Sequence, residues 1–212
     1  RDLAKYARAS VREVDALRAR FGFEPRHRVL LAVGRLEPQK DPATLLRAFR
    51  TVAQRFPEAR FLFAGDGSLR PQLEALAHEY QLAERIVFAG FQENVVPCYH
   101  LAEIVVLPSL YEGMPLVAIE AGAAGRPIVA TEVDGTAEVV EQGRTGWLVP
   151  AGDAQALAAA LCSLLEEPER GRRMGELAQQ RVHRLFSFER QLDETARIFT
   201  HYLGGRMGRQ AA

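Results

Sequence analysis

The chain lacks a charge imbalance, a cysteine framework and any long hydrophobic run. Lys and Arg together number 27, as do Asp and Glu, so the formal net charge is zero and favours neither nucleic acid nor an anionic membrane as a partner. The two cysteines, Cys98 and Cys162, have no metal-ligand or disulfide spacing, which favours a reducing compartment. Because the apolar runs are strand-sized, we expect a cytoplasmic protein that neither spans a membrane nor is secreted.

Metal-binding and mononucleotide motifs are also missing from the sequence. The histidines, at positions 27, 78, 100, 183 and 201, form no cluster, and there is no Asp-x-Asp pair and no Gly-Lys-Ser/Thr motif. We therefore expect no metal and no cofactor. Any anion that binds here must be neutralised by side-chain charges and helix N-termini.

Short apolar runs alternate with longer helical patterns along most of the chain. The runs cover residues 29–33, 61–64, 86–89, 104–107, 128–130 and 147–149. They are apolar throughout rather than alternating, which is typical of parallel strands covered on both faces. The sequence therefore predicts an α/β fold, a Rossmann-like, doubly wound, parallel six-stranded sheet with helices on both faces.

The chain is predicted to divide into a linker helix over 1–22, one domain over 23–203 and a disordered tail over 204–212. Apolar residues at three- to four-residue spacing predict the first helix, which Gly22 and Pro25 end. Within the domain, helices are predicted over 42–56, 69–80, 116–124, 154–166 and 188–203.

Ligands of open α/β sheets bind beyond the carboxyl ends of the strands, so the loops after the strands are the candidate sites. After the first strand, Gly34 is followed by two cations, Arg35 and Lys40, on a loop that leads into a helix. This pattern suits an anion, since the helix N-terminus adds N–H donors to the two charges. The alternative is a solvated loop in which Asp41 caps the helix.

The loop after the second strand, Gly65-Asp66-Gly67-Ser68, resembles a dinucleotide fingerprint only weakly, because Arg70 stands where the third glycine belongs. A tight turn in which Ser68 caps the next helix is the alternative interpretation. The loop after the fifth strand, around Gly135, is interpreted as mainly structural, a turn with a capping residue followed by a short helix.

The loop after the fourth strand combines carboxylates with free backbone donors. Glu112 lies on the loop and Glu120 lies in the following helix. Between them, the N–H groups of Gly113, Met114 and Leu116 can point at an anion, whereas Pro115 has no N–H. Carboxylates beside an anion site suit a ligand that also carries hydroxyl groups. The alternative is a surface Glu112 and a Glu120 paired with an arginine.

These segments together resemble the C-terminal domain of retaining glycosyltransferases of the GT-B fold, family 4, also called glycosyl transferases group 1. The likeness covers about residues 17–203 and rests on GRLEPQKD at 34–41, GDG at 65–67, PSLYEGMP at 108–115, EA at 120–121, GRPIVAT at 125–131 and GRTGWLVP at 143–150. Some relatives have glycine where this chain has Pro115, which removes one potential N–H contact.

The resemblance implies a nucleotide-diphosphate sugar as the substrate and a role for each candidate residue. Arg35 and Lys40 would bind the donor diphosphate, Glu112 would contact sugar hydroxyls and Glu120 would hold the ribose. The base would lie near residues 88–92. The resemblance also implies a missing partner, the N-terminal acceptor-binding domain, so this chain would be the donor-binding half and nearly inactive alone.

Two other functions stay open at this point, a nucleotide-binding module without transferase chemistry and a nucleotide-sugar epimerase of the same fold. Which base and sugar the donor carries, and whether the full-length protein attaches peripherally to a membrane, also stay open. If Lys40 only binds the donor, Lys40→Ala is expected to abolish donor binding and to leave the thermal midpoint unchanged.

Overall fold

A computed structural model describes the backbone of residues 3–207 and the side chains of residues 3–200. The described chain contains a single parallel sheet. Its strands are β1 (Arg28–Val33), β2 (Ala59–Ala64), β3 (Ile86–Phe88), β4 (Ile104–Leu107), β5 (Ile128–Thr131) and β6 (Gly146–Val149). The bounds agree with the predicted runs to within two residues at each end. The predicted fold class is therefore confirmed.

The strand order is β3-β2-β1-β4-β5-β6, and every neighbouring pair is parallel. The chain thus builds the sheet outward from β1 in one direction and then returns to add β4 on the other side of β1. The strand order reverses between β1 and β4, which leaves a crevice beyond their carboxyl ends. The loops carrying Arg35 and Glu112 follow these two strands.

Nine α-helices lie within residues 3–207. They are α1 (Val11–Arg20), α2 (Pro42–Arg55), α3 (Arg70–Glu79), α4 (Val96–Leu101), α5 (Leu116–Ala123), α6 (Thr136–Val139), α7 (Ala154–Glu166), α8 (Pro168–Phe186) and α9 (Phe188–Met207). The sequence did not predict α4 or α8.

Helices cover both faces of the sheet, as predicted. Successive side chains of a strand point to opposite faces, and because these strands are apolar throughout, both faces must be buried. In β1, Leu30 packs with residues of α2, α3 and α7, whereas Leu31 packs with residues of α4 and α5. Both leucines are fully buried. The two cores fix the sheet rigidly beneath the crevice.

The N-terminal segment differs from the predicted single helix. A short 3-10 turn, Ala4–Tyr6, is separated from α1 by a break at Ser10, whose side chain forms a capping box with Glu13. The segment also packs on the domain, since Leu3 and Tyr6 are buried in the core around α4 and α5. Residues 3–20 are thus part of the folded unit, and residues 1–2 lie outside the described residues.

The C-terminal helix extends further than predicted. Helix α9 ends at Met207 rather than at residue 203, so the start of the predicted disordered tail is helical. The rest of that tail, 208–212, lies outside the described residues. No helix within residues 3–207 is long and apolar enough to cross a membrane.

Candidate donor-binding site

The strand order reverses between β1 and β4, at what we call the switch point. The loops that follow these two strands are joined by backbone and side-chain hydrogen bonds. The Leu110 N–H donates to the Gln39 carbonyl oxygen at 2.8 Å, and the Gln39 side-chain amide donates to the Tyr111 carbonyl oxygen at 3.0 Å. Because these bonds join the loop after β1 to the loop after β4, the candidate residues of both loops form one rigid site.

A pocket at this point is lined by Gly34, Arg35 and Lys40 from the first loop and by Leu107 and Pro108 at the end of β4. The predicted cations therefore share a single pocket. Gly34 has a φ of +139°, and a Cβ atom there would lie 3.7 Å from the Lys40 Cε. Glycine gives the backbone this conformation at little cost and leaves the lysine stem room to cross the loop.

Lys40 forms an ion pair that the sequence did not predict. Its ammonium lies 2.5 Å from Oε1 of Glu112, and the side chains are 21% and 9% exposed. Lys40 ends a short 3-10 turn, Pro38–Lys40, and Asp41 then adopts a left-handed conformation and caps α2 through the Thr44 N–H. The expected capping by Asp41 is thus present together with the cation site, not instead of it.

Glu112 is buried, at 8% exposure, and belongs to a hydrogen-bonded relay. Its Oε1 also accepts a hydrogen bond from the Ser109 hydroxyl at 2.6 Å. The Thr131 hydroxyl in turn donates to the Ser109 carbonyl oxygen at 2.5 Å. Glu112 is therefore not a surface residue, which corrects the alternative interpretation for this side chain. Its Oε2 accepts no hydrogen bond from the described residues and can accept one from a ligand.

Sequence reasoning missed Ser109 and Thr131 as parts of the site. Both are almost completely buried, at 0% and 2% exposure. The available signal was their position: each is the polar residue that ends or follows an otherwise apolar strand, at the sheet edge where ligands bind. Together they hold the Glu112 carboxylate at the pocket.

Arg35 differs from Lys40 in being exposed and unpaired. Among residues 3–200, no side chain or backbone group forms a hydrogen bond or ion pair with its guanidinium. The neighbouring Glu37 is instead held by Ser68, whose N–H and hydroxyl donate to its carboxylate at 2.9 and 2.8 Å. These bonds and, to a smaller extent, the Arg35 charge lower the pKa of Glu37. The guanidinium is thus available to an incoming anion.

The contact with Glu37 also corrects the expected role of Ser68. It does not cap α3, whose N-cap residue is Leu69 and has no side-chain cap. The Gly65-Asp66-Gly67 turn instead packs against the loop after β1. A Cβ atom at Gly65 would lie 1.9 Å from the Gly34 carbonyl oxygen, so the close approach requires glycine.

The turn before α5 presents free backbone donors, as predicted. Within the described chain, the N–H groups of Gly113, Met114 and Leu116 donate no hydrogen bond to protein, and all three residues are exposed. Gly135 supports this turn from the loop after β5, since a Cβ atom there would lie 1.8 Å from the Gly113 carbonyl oxygen. The turn is therefore held in place with its N–H groups open to a ligand.

Glu120 lies apart from the pocket that Arg35 and Lys40 line. It is buried, and its two carboxylate oxygens accept hydrogen bonds from the Tyr6 and Tyr99 hydroxyls, each at 2.8 Å. Burial and the nearby carboxylate raise the pKa of Tyr99 well above its usual value, which keeps its phenol a donor. Ribose binding by Glu120 stays a prediction.

The family model for "Glycosyl transferases group 1" matches residues 13–181, which include every element from β1 to β6. The chain belongs to this family. Among curated relatives, alpha-D-kanosaminyltransferase of Streptomyces kanamyceticus is 35% identical over 86% of the chain and 48% of the relative. The chain spans about half the length of the curated relatives it matches.

Two solved structures show the same fold. Sucrose-phosphate synthase from Thermosynechococcus elongatus superposes with a TM-score of 0.83 at 31% identity, covering 95% of this chain and 51% of that one. Anabaena HepE in complex with UDP gives a TM-score of 0.85 at 24% identity, over 93% of this chain and 55% of the other. Among residues 3–200, no group of three or more His, Cys, Asp or Glu side chains is arranged to hold a metal ion.

Proposed function

We propose that this chain is the donor-binding half of a retaining glycosyltransferase, which transfers a sugar from a nucleotide-diphosphate sugar to an acceptor. The proposal rests on the arrangement of charged groups and hydrogen-bond donors where the loops after β1 and β4 meet. An unpaired guanidinium, Arg35, and the ammonium of Lys40 line one pocket, and the loop tied to it presents Glu112 and unpaired N–H groups. A diphosphate that bears a polyhydroxylated sugar matches this combination of groups.

The pocket neutralises a diphosphate without a metal in this proposal. Two cations about 4 Å from phosphate oxygens each contribute roughly 4 kcal/mol of raw attraction at an effective dielectric near 20. Lys40 gives one N–H to Glu112 and keeps its other donors for the ligand. The N–H groups of Gly113, Met114 and Leu116 add donors at the start of α5.

The same groups explain how the chain would contribute to catalysis. Departure of the nucleoside diphosphate from the sugar concentrates negative charge on the leaving group. Cations fixed before the reaction stabilise that charge more than they stabilise the ground state. Arg35 and Lys40 therefore serve as catalytic as well as binding residues, while the free Oε2 of Glu112 accepts a hydrogen bond from a sugar hydroxyl and orients the ring.

Two further points support a role as half of an enzyme. The chain spans about half the length of its relatives, which is consistent with a missing N-terminal acceptor-binding domain. The Anabaena structure of the same fold is a complex with UDP, which supports a nucleoside diphosphate as the ligand of this half. We expect the chain alone to bind nucleotide weakly and to turn over little or not at all.

The test uses the full-length protein that contains this chain, incubated with UDP-, GDP- and ADP-sugars and candidate acceptors. We expect one donor class to be consumed and the product to keep the anomeric configuration of the donor, read by NMR. Arg35→Gln should reduce kcat/KM at least a hundredfold, whereas Arg12→Gln, on the exposed face of α1, should leave it unchanged.

Other outcomes would support the alternatives or contradict the proposal. Nucleotide binding without hydrolysis or transfer of any donor would indicate a binding module. Inversion of a hydroxyl on the free donor would indicate an epimerase. A product of inverted anomeric configuration would contradict retention, and full-rate transfer by this chain alone would contradict its assignment as a half-enzyme.

A further inference from the structure

A second cavity lies at the edge of the sheet opposite to the donor pocket. It has a volume of about 470 Å³ and opens at the amino ends of β1, β4 and β5. Its lining includes Arg28 at the start of β1, Glu103 before β4, Arg126 before β5, and Pro168 and Arg172 in the first two turns of α8. None of these residues takes part in the proposed glycosyl transfer. The volume is within the range of small-molecule pockets, about 300–1,000 Å³.

The charged groups around this cavity are unbalanced. The lining contains three arginines, Arg28, Arg126 and Arg172, and one acidic residue, Glu103. Glu103 is already bound by Arg28 through two hydrogen bonds, one of them 2.9 Å between Nε and Oε2. Its oxygens are therefore engaged mainly by Arg28, and its charge acts on Arg126 only at longer range.

The guanidinium of Arg126 has few partners of its own. Its guanidinium donates to the His100 carbonyl oxygen at 3.2 Å, while its buried Nε has no hydrogen-bond partner. Within residues 3–200, no carboxylate oxygen lies within 4.0 Å of the Arg126 guanidinium nitrogens. Burial lowers the pKa of this guanidinium, and the charge of Glu103 acts in the opposite direction. Arg126 is half-buried, lines the cavity and forms no ion pair within residues 3–200, so its charge is available to an anion that enters the cavity.

The remaining walls favour an anion attached to a small organic group. Helix α8 is 19 residues long and begins at this cavity, where Glu167 provides no side-chain cap. Its positive end therefore adds to the arginine charges. Arg172 pairs with Glu169, but both side chains are more than 60% exposed, and such surface pairs exchange partners at little cost. Ile104 and Leu164 supply apolar wall.

We propose that this cavity is a second ligand site, which binds a phosphate monoester of sugar size independently of the donor pocket. A guanidinium offers paired N–H donors that match two phosphate oxygens. Arg126 and Arg172 would bind the phosphate at the start of α8, and the organic group would occupy the volume beside Ile104 and Leu164. A bare phosphate ion would leave most of the cavity unfilled.

Isothermal titration of this chain with ribose 5-phosphate tests the proposal, with inorganic phosphate and ribose as the two partial ligands. We expect ribose 5-phosphate to bind more tightly than phosphate and ribose to give no signal. Arg126→Gln and Arg172→Gln should each weaken binding at least tenfold. The matched control is Arg173→Gln, an exposed neighbour on α8 outside the cavity lining, which should change affinity less than twofold.

Arg35→Gln distinguishes this cavity from the donor pocket. It should leave ribose 5-phosphate affinity unchanged, so failure of the donor-site proposal would not affect this result. Because Arg172 is exposed, its variant tests the site even if Arg126→Gln does not fold. The proposal is overturned if ribose 5-phosphate does not bind at millimolar concentration, or if Arg35→Gln abolishes binding while Arg126→Gln and Arg172→Gln do not.

Discussion

Lys40→Ala tests whether the ion pair with Glu112 contributes to stability as well as to ligand binding. The substitution leaves a buried carboxylate with Ser109 as its remaining hydrogen-bond donor. Removing one partner of a fully buried pair costs about 3–5 kcal/mol. Since the Lys40 side chain is 21% exposed, water reaches the pair, and we expect a loss of about 2 kcal/mol. For a domain of this size that lowers Tm by about 4–8 °C.

The assay is urea unfolding of the single variants and of the double variant Lys40→Ala/Glu112→Gln. Neutralising Glu112 removes the unpaired charge, so the double variant should recover part of the stability, with a coupling above about 1 kcal/mol. Arg12→Ala on the exposed face of α1 serves as the control, expected within about 0.5 kcal/mol of the parent. If Lys40→Ala is as stable as the parent and no coupling appears, the ion pair does not form. The sequence alone predicted an unchanged thermal midpoint for Lys40→Ala, on the assumption that Lys40 only binds the donor.

Four further predictions follow from other parts of the structure. Gly135→Ala should cost about 1–3 kcal/mol, because its Cβ would clash with the Gly113 carbonyl oxygen, whereas Gly113→Ala should cost less; denaturation midpoints compare the two. Burial lowers the pKa of His100, so the folded state favours the neutral ring, and stability should decrease as pH falls below about 6.5. Unfolding midpoints at about pH 5 and about pH 7.5 should differ less in His100→Gln than in the parent. Burial raises the pKa of Cys98 to about 11, so its thiol should react slowly with a disulfide reagent near neutral pH and rapidly after addition of urea. EDTA should leave nucleoside-diphosphate affinity unchanged, and a loss of affinity would show that a metal takes part.

The sheet could be predicted from the sequence because its strands are continuous apolar runs. All four residues of β4 and of β5 are buried. Their largely apolar composition therefore predicted that both faces of each strand are covered. The position of the cation loop followed from the same pattern, since ligands bind beyond the carboxyl ends of parallel strands.

Helix α8 was not predicted because its sequence contains two glycines, which have a low helix propensity. Its signal was the spacing of Met174, Ala178 and Val182, four residues apart and all buried. Gly175 is required by packing, since a Cβ atom there would lie 2.1 Å from the Gly125 carbonyl oxygen. Tertiary contact thus outweighed local helix propensity.

The partners of the two carboxylates could not be predicted, because they are distant in sequence. Glu112 contacts Lys40 across 72 positions, and Glu120 contacts Tyr6 across 114. Charge and spacing predict that a side chain is available at a loop, but only the folded chain determines which neighbour binds it. The break at Ser10 was readable in principle, since Ser10 and Glu13 form a capping-box pattern.

Calorimetric titration of this chain with UDP, GDP and ADP tests the central claim most directly. We predict that at least one of them binds, that the corresponding nucleoside without phosphates does not bind measurably, and that Arg35→Gln weakens the binding at least tenfold. Arg173→Gln, which changes charge equally on a distant exposed face, should have no effect. Equal affinity of the parent and Arg35→Gln, or binding of the nucleoside as tight as that of the diphosphate, would contradict a diphosphate site between the two loops.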